Sequence, residues 1–361
     1  MKMIHSLPPV GIDKLLQDTD LLKQLSCGRV ALLTNQSALT RDSVSSAVAL
    51  QEKLGSALVG FFVPEHGWSG LIAEGEDIQS GHDPHLNLPV WSLYGKQEMC
   101  SDFLRSLALD TLIIDLQDVG LRCYTYSATC AQTMEALRGT ETHILVCDRP
   151  NPLGARQCGP KRDPRFRSIM GYLDVPWQHG QTMGQLLQGV NGSKLTVLPC
   201  SPFHEPYAYP WIPPSPNLPS WEAVLLYPAL VMLEGTTVSE GRGTTLPFTS
   251  LGAPGLPHHE MVDFLNSSGH AGIRACPITF TPSRSKWSGQ ECQGVHLLVT
   301  DFTKLKAYEL GIDILTFLSQ NYPSFEWITG KRYFIDLLMG TDQVRKGITT
   351  GITAATCSGT L

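Results

Sequence analysis

Charge is scarce in this chain. Asp, Glu, Lys and Arg make up 17% of its 361 residues, against roughly 25% in ordinary soluble proteins. No basic block of about five or six residues occurs, the length at which such a run reads as a nucleic-acid patch, and the formal net charge is −6. A nucleic-acid binder needs clustered Lys and Arg to displace counterions from phosphates, so that class is disfavoured. No uncharged apolar run reaches the roughly 18 residues that span a bilayer. Met1–Gln17 carries no continuous apolar core and no small-residue cleavage site, so no secretory signal is expected. Cysteine is present but not organised. The 10 cysteines are scattered without a CxxC pair, and several, such as Cys147 in Ile144-Leu-Val-Cys147, sit in apolar runs where a thiol packs as a small hydrophobe. The expectation is a reduced, cytoplasmic protein rather than a disulfide framework.

Several nucleotide and hydrolase signatures are missing too. There is no P-loop and no Gly-x-Ser-x-Gly elbow. Gly241-Arg-Gly243 lacks the third glycine and the βα turn of a dinucleotide fingerprint. A Rossmann-like sheet here would therefore not imply a nicotinamide cofactor.

What is there is a large apolar fraction, 42%, with 33 Gly and 25 Pro. That composition describes a globular, loop-rich chain. At roughly 150 residues per domain the length suggests two domains. Strand-like runs at Arg29–Thr34, Ala57–Val63, Asp110–Leu116 and His143–Cys147 alternate with helix-like segments at Ser43–Leu54, Gln97–Leu107 and Ala128–Arg138. Continuous apolar strands separated by helices predict an α/β fold, with a Rossmann-like doubly wound parallel sheet. After about Leu251 the pattern changes to a helix at His259–Ser267, strands at Pro277–Phe280 and Val295–Val299, and a helix at Lys304–Leu318. The expected division is a Rossmann-like catalytic domain over 1–250 and a smaller α+β C-terminal domain over 251–361.

In such sheets ligands bind beyond the carboxyl ends of the strands. Polar clusters follow each strand here: Thr34–Ser37, Pro64-Glu-His-Gly67, Asp115–Arg122 and Asp148-Arg-Pro-Asn-Pro152. Glu65, set at the mouth of a buried strand, suits a general acid or a turn cap. Asp118 and Arg122 read as a surface pair, or Arg122 as a fork for a substrate carboxylate. Tyr124 and Tyr126 suit a sugar face or the core. The stretch Glu234–Thr244 concentrates acids, hydroxyls, an arginine and glycines as a folded polar network or a substrate-lining loop would.

These motifs, taken in order with Pro214-Ser-Pro-Asn217, Lys286 and Cys292-Gln-Gly294, resemble the bacterial exo-β-N-acetylmuramidase family, long known only as a domain of unknown function. The resemblance runs from about Gly11 to the C-terminus. It implies a glycoside hydrolase of peptidoglycan turnover and cell wall recycling. Such an enzyme releases N-acetylmuramic acid from the non-reducing end of wall-derived glycans, with no cofactor implied. From the residues themselves no metal is expected, since His-x-x-x-His spacing with Cys partners is absent. The family's favoured catalytic acid matches Glu65. Asp118, Glu234 and Glu240 are candidates for the second group, which stabilises an oxocarbenium-like transition state or activates water. Arg122 or Arg242 would pair with the lactyl carboxylate. His66, Tyr124, Asp148, Asn151, Ser215, Asn217 and Ser239 would supply further contacts. The partner is a small glycan, with no nucleic acid and no membrane. The alternatives are a hydrolase of a related amino sugar and a non-catalytic sugar-binding protein. Departures from the family pattern stand at Gln185, where a glutamate is usual, at Gln178, where an arginine is common, and at Glu74-Gly-Glu76, where small residues are favoured.

Overall fold

The structure is a computed structural model that describes residues 9–94, 101–190, 192, 194–201, 206–207 and 210–350. Among these the strands run, in chain order, β1 (Val30–Leu33), β2 (Leu58–Val63), β3 (Gly81–Asp83), β4 (Leu88–Ser92), β5 (Thr111–Ile114), β6 (His143–Cys147), β7 (Cys158–Lys161), β8 (Pro176–Gln178), β9 (Lys194–Leu198), β10 (Ser250–Ala253), β11 (Ile273–Phe280) and β12 (Cys292–Val299). The chain forms two units, each assembled from separate stretches. The first takes the described residues of Met1–Gly120, Tyr124–Ala155 and Gly180–Pro216. The second takes those of Leu121–Cys123, Arg156–His179 and Asn217–Leu361.

The first unit is built on a seven-stranded sheet ordered β3-β4-β2-β1-β5-β6-β9. Every pairing is parallel except β3 with β4. Successive side chains on a strand point to opposite faces. Val30, Leu32, Phe61, Val63, Ile113, Leu145 and Cys147 share one face, packed with Ile12, Leu15, Leu25, Leu50 and Leu54 from the helices Gly11–Gln17, Thr19–Ser26 and Ser46–Leu54. Their neighbours Ala31, Leu33, Phe62, Leu112, Ile114, Ile144 and Val146 point the other way and are just as buried. Both faces are therefore covered, as a parallel sheet requires. Each fully buried Leu, Ile or Phe contributes about 1.5–3 kcal/mol of transfer free energy.

Strand order reverses at the β1–β5 pair. The chain moves outward through β2 and β4 on one side, and through β6 and β9 on the other. A crevice opens beyond the carboxyl ends at such a reversal, because the connecting segments leave in opposite directions. The polar clusters after β1, β2, β5 and β6 all lie at that end of the strands.

The second unit holds a three-stranded antiparallel sheet, β10-β12-β11, and a β7–β8 ribbon. Helices Trp221–Leu230 and Ala307–Asn321 each bury nine residues in it. Two elements depart from the sequence reading in an instructive way. The strand expected at Pro277–Phe280 extends back to Ile273; β11 is an edge strand, so Pro277 has no ladder bond to spoil on its open side. The helix expected at Ala128–Arg138 begins at Thr125 and ends at Ala136, which draws Tyr124-Thr-Tyr126 into its first turn. Of the helix expected at Gln97–Leu107, Ser101–Ser106 is helical, and 97–100 lies outside the described residues.

Candidate active site

Glu65 follows β2 at the rim of the first unit. Its carboxylate accepts from Thr125 Oγ1 at 2.6 Å and from the Gly75 N–H at 3.3 Å. Among the described residues it has no cationic partner. The next residue, His66, is buried and has φ of 72°, a conformation that costs an L-residue roughly 1–2 kcal/mol. The turn is held by reciprocal contacts: His66 Nδ1 meets the Ile72 carbonyl at 2.8 Å, and the Ile72 N–H donates to the His66 carbonyl at 3.4 Å. Such strain persists only where surrounding structure enforces it, and it clusters at functional positions. Here it fixes the direction in which Glu65 leaves the strand.

A buried hydroxyl ties this rim to the Pro-rich loop. Tyr126 Oη donates to the Pro214 carbonyl at 2.5 Å and lies 3.2 Å from the Glu65 carbonyl, while Asn35 Nδ2 donates to Tyr126 Oη at 3.0 Å. Burial pushes the Tyr126 phenol well above its ordinary value, so it stays a neutral hydroxyl. The segment bearing Ser215 is thus anchored next to Glu65's own strand end. Tyr124 packs against Tyr126 with ring centroids 4.5 Å apart and the ring planes tilted by 50°.

The remaining candidates of the first unit make internal bonds. Asp118 Oδ2 accepts from the Gly120 N–H at 2.6 Å. Asn151 Oδ1 accepts from the Leu153 N–H at 2.9 Å, and its Nδ2 donates to the Gln181 carbonyl at 3.0 Å. Asp148 accepts from Thr182 Oγ1 at 2.6 Å, Gly184 N at 2.9 Å and Arg149 N at 3.1 Å. Burial raises its pKa against the pull of those three donors. Beside it, Arg149 forks onto Asp115 at 2.5 and 3.0 Å. That buried pair locks the ends of β5 and β6 together.

The second unit carries the other acidic cluster. Glu240 is buried, and both of its oxygens are taken: Arg242 Nη1 donates to Oε1 at 2.9 Å and Lys286 Nζ to Oε2 at 2.9 Å. Glu234 meets Arg242 Nη2 through Oε1 at 2.7 Å and keeps 18% of its side chain exposed. The two carboxyls are pushed in opposite directions. For Glu234 burial dominates, with Arg242 pulling down and the charge of Glu240 pushing back up, and the net effect is a rise. For Glu240 burial also pushes up, but Lys286 and Arg242 together outweigh it and the net effect is a fall. Adjacent carboxyls with divergent pKa values are a recurring arrangement where one must hold a proton and the other must not. Gly241 and Gly243 make the loop possible: both have positive φ, and a Cβ on either would lie within 2.5 Å of a backbone oxygen, that of Leu246 or Arg284. Ser239 Oγ accepts from the Gly241 N–H at 3.2 Å. Asn217 Oδ1 accepts from Arg284 Nη2 at 3.1 Å.

Arg122 has a different surrounding. Nη1 donates to the Pro160 and Val175 carbonyls at 2.8 and 2.9 Å, and Nη2 to Met339 at 2.6 Å. Burial lowers its pKa to about 10. It braces main-chain segments of the second unit, and those two nitrogens are already engaged.

Gln185 has a physical role that its sequence context had not suggested. It closes a capping box on helix Met183–Gln188: the Thr182 N–H donates to Gln185 Oε1 at 2.9 Å, and Thr182 Oγ1 accepts from the Gln185 N–H at 3.3 Å. The position needs an acceptor oxygen, which Gln supplies as well as Glu. Gln178 Oε1 accepts from the Cys158 thiol at 3.3 Å. Thr125 and Asn35 were not singled out in the sequence. Their only signal was membership of polar clusters at strand and helix ends.

Comparison with known proteins adds to this geometry. Residues 30–222 match the family model for the N-terminal domain of the exo-β-N-acetylmuramidase NamZ, and residues 225–360 match that for its C-terminal domain. The chain is 36% identical over 354 residues to the peptidoglycan β-N-acetylmuramidase NamZ of Bacillus subtilis (strain 168), covering 94% of this chain and 84% of that protein. Two crystal structures of DUF1343 family proteins from Bacteroides fragilis NCTC 9343 share the fold. One has a TM-score of 0.82 at 27% identity, covering 94% of this chain and 90% of that one. The other has a TM-score of 0.73 at 31% identity, covering 97% and 93%. With both family models matched in sequence order and a relative aligned along nearly its whole length, the chain belongs to the exo-β-N-acetylmuramidase NamZ family.

Proposed function

We propose that this chain is a peptidoglycan β-N-acetylmuramidase that releases N-acetylmuramic acid from the non-reducing end of wall-derived glycans. The observation that carries this reading is the 36% identity over 94% of the chain to a protein of that activity. In the mechanism we favour, Glu65 protonates the leaving glycosidic oxygen. Its partners are a hydroxyl and an amide, which orient the carboxyl without neutralising it by charge. A carboxylate from the second group, Asp118, Glu234 or Glu240, answers the positive charge that develops on the sugar. Arg122 or Arg242 meets the lactyl carboxylate; the terminal nitrogens of both already have partners, those of Arg122 in main-chain carbonyls and those of Arg242 in the carboxylates of Glu240 and Glu234. His66, Tyr124, Asp148, Asn151, Ser215, Asn217 and Ser239 complete the contacts. The family position occupied by Gln185 is accounted for by its helix cap, which supports an active enzyme over a sugar-binding protein that has lost turnover.

All cysteines of the described residues that the structure reports are thiols. No helix among the described residues is long and apolar enough to cross a membrane. We place the enzyme in the cytoplasm, recycling imported wall sugars, and cell fractionation tests that placement. The activity is tested by incubating the purified protein with paired chromogenic glycosides of N-acetylmuramic acid and N-acetylglucosamine. Release from the muramide at a kcat/KM at least ~10²-fold above the glucosaminide is expected, because a site built for a charged group is penalised when that group is missing. Equal rates on both, or none on either, would overturn the reading.

A further inference from the structure

Lys286 sits in a loop between β11 and β12 that is shaped to present it. The residues on either side, Ser285 and Trp287, have φ of 67° and 59°, left-handed conformations that neither side chain favours. The loop is laced to the Glu234–Thr244 stretch at successive points. Ser283 donates to the Gly243 carbonyl through its N–H and its hydroxyl, both at 2.8 Å. Trp287 Nε1 donates to the Thr237 carbonyl at 2.7 Å. Between them, Lys286 Nζ donates to the Leu233 carbonyl at 2.7 Å, the Val238 carbonyl at 3.0 Å and Glu240 Oε2 at 2.9 Å. An ammonium has three hydrogens, and each has an acceptor here. Lys286 therefore grips the main chain on both sides of Glu234 and the carboxylate of Glu240 at once. With Arg242 on the other oxygen, Glu240 has no direction left in which to move. Among the described residues Glu234 is hydrogen-bonded by Arg242 alone, through one oxygen.

We infer that Lys286 is a positioning residue of the muramidase: it immobilises Glu240 as an ionised group and leaves Glu234 as the carboxyl of the pair that has an oxygen to offer the sugar. This rests on the proposal that the Glu234–Arg242 loop lines the substrate site. The charged and titratable groups that face the pair are Arg242, Lys286 and the buried Cys123 thiol. Removing the lysine takes away a cation that lowers both carboxyls. Any limb of the pH profile that reports either one must then move to higher pH.

The test compares Lys286→Met, Lys286→Gln and Lys286→Arg on a chromogenic N-acetylmuramide, with kcat and KM measured across pH and melting followed in parallel. The expected result is a fall in kcat of at least tenfold for Met and Gln, with KM changed by less than about threefold, since the residue positions a group rather than binding sugar. The profile of both shifts upward in pH, and Arg, which keeps the charge, restores its position. Gln retains a donor and guards against a Met variant that fails to fold. A lowered melting temperature with kcat and pH profile unchanged would reduce Lys286 to a structural brace and overturn the inference. Glu234→Gln tests the underlying reading separately: full activity in that variant would remove the loop from the site, whatever Lys286 does.

Discussion

The two acidic regions of this protein hold their carboxylates by different means. Glu65, in the first unit, is held by a threonine hydroxyl and a backbone amide. Glu240, in the second, is held by an arginine and a lysine. Neutral donors orient a carboxyl without placing a charge beside it. Cations fix it in its charged form, because protonation would strand two buried positive charges. The first surrounding suits a proton donor and the second suits a permanent anion. Glu234 stands between these cases, with one cation on one oxygen and a raised pKa.

The largest effect expected from this contrast is catalytic. Glu65→Gln should lower kcat by roughly 10² to 10⁴, the usual worth of general acid catalysis. Its melting temperature should change little, since the amide can still accept from Thr125. Steady-state rates on the muramide, with melting as the control, check this; activity within tenfold of the parent excludes Glu65 as the acid. Glu240→Gln should do the reverse in kind and destabilise the fold by about 3–5 kcal/mol, the usual cost of leaving buried charges uncompensated. Urea titration at neutral pH reads it, and a loss under about 1 kcal/mol would mean that the network relaxes without its anion.

The same contrast predicts a pH signature. The folded pKa of Glu240 is depressed, so the stability it confers is present above the unfolded value and disappears as pH falls through the folded one. The folded pKa of Glu234 is raised, so ionising it costs stability as pH rises from the unfolded value through the folded one. Glu234→Gln should flatten that decline while leaving the acid side unchanged. Melting temperature against pH for parent and variant separates the two. Arg122→Met should cost about 2–4 kcal/mol, since it leaves one buried and two partly buried carbonyls without donors, and it should show in unfolding measurements. The smallest effect belongs to Gln185→Glu. A carboxylate in the first helical turn should add about 0.3–1 kcal/mol and change kcat by less than twofold; a tenfold gain would show that the position serves catalysis after all.

Much of the first unit was legible because parallel strands buried on both faces leave continuous apolar runs. His143–Cys147 begins and ends where its residues suggested. β3 and β9 were not legible. Their half-exposed residues, as in Lys194–Leu198, carry no such run, and they join the sheet because neighbouring strands offer unpaired edges. Among the candidates, Glu65 and Arg242 were visible as polar residues in glycine-rich turns. The commitment of Arg122 to the carbonyls of Pro160, Val175 and Met339 was not, because those acceptors lie 38 to 217 residues away.

By itself the sequence determined the kind of sheet, the order of its motifs and the family they belong to, since apolar periodicity and local turn chemistry are written in adjacent residues. Tertiary structure alone decided the state of each charged group. Whether a carboxyl meets a hydroxyl, one cation or two depends on which distant segment is folded against it, and the free energy of a buried charge is set by those few neighbours. Glu65, Glu234 and Glu240 are the same side chain; the partners the fold brings to each give them different chemistry.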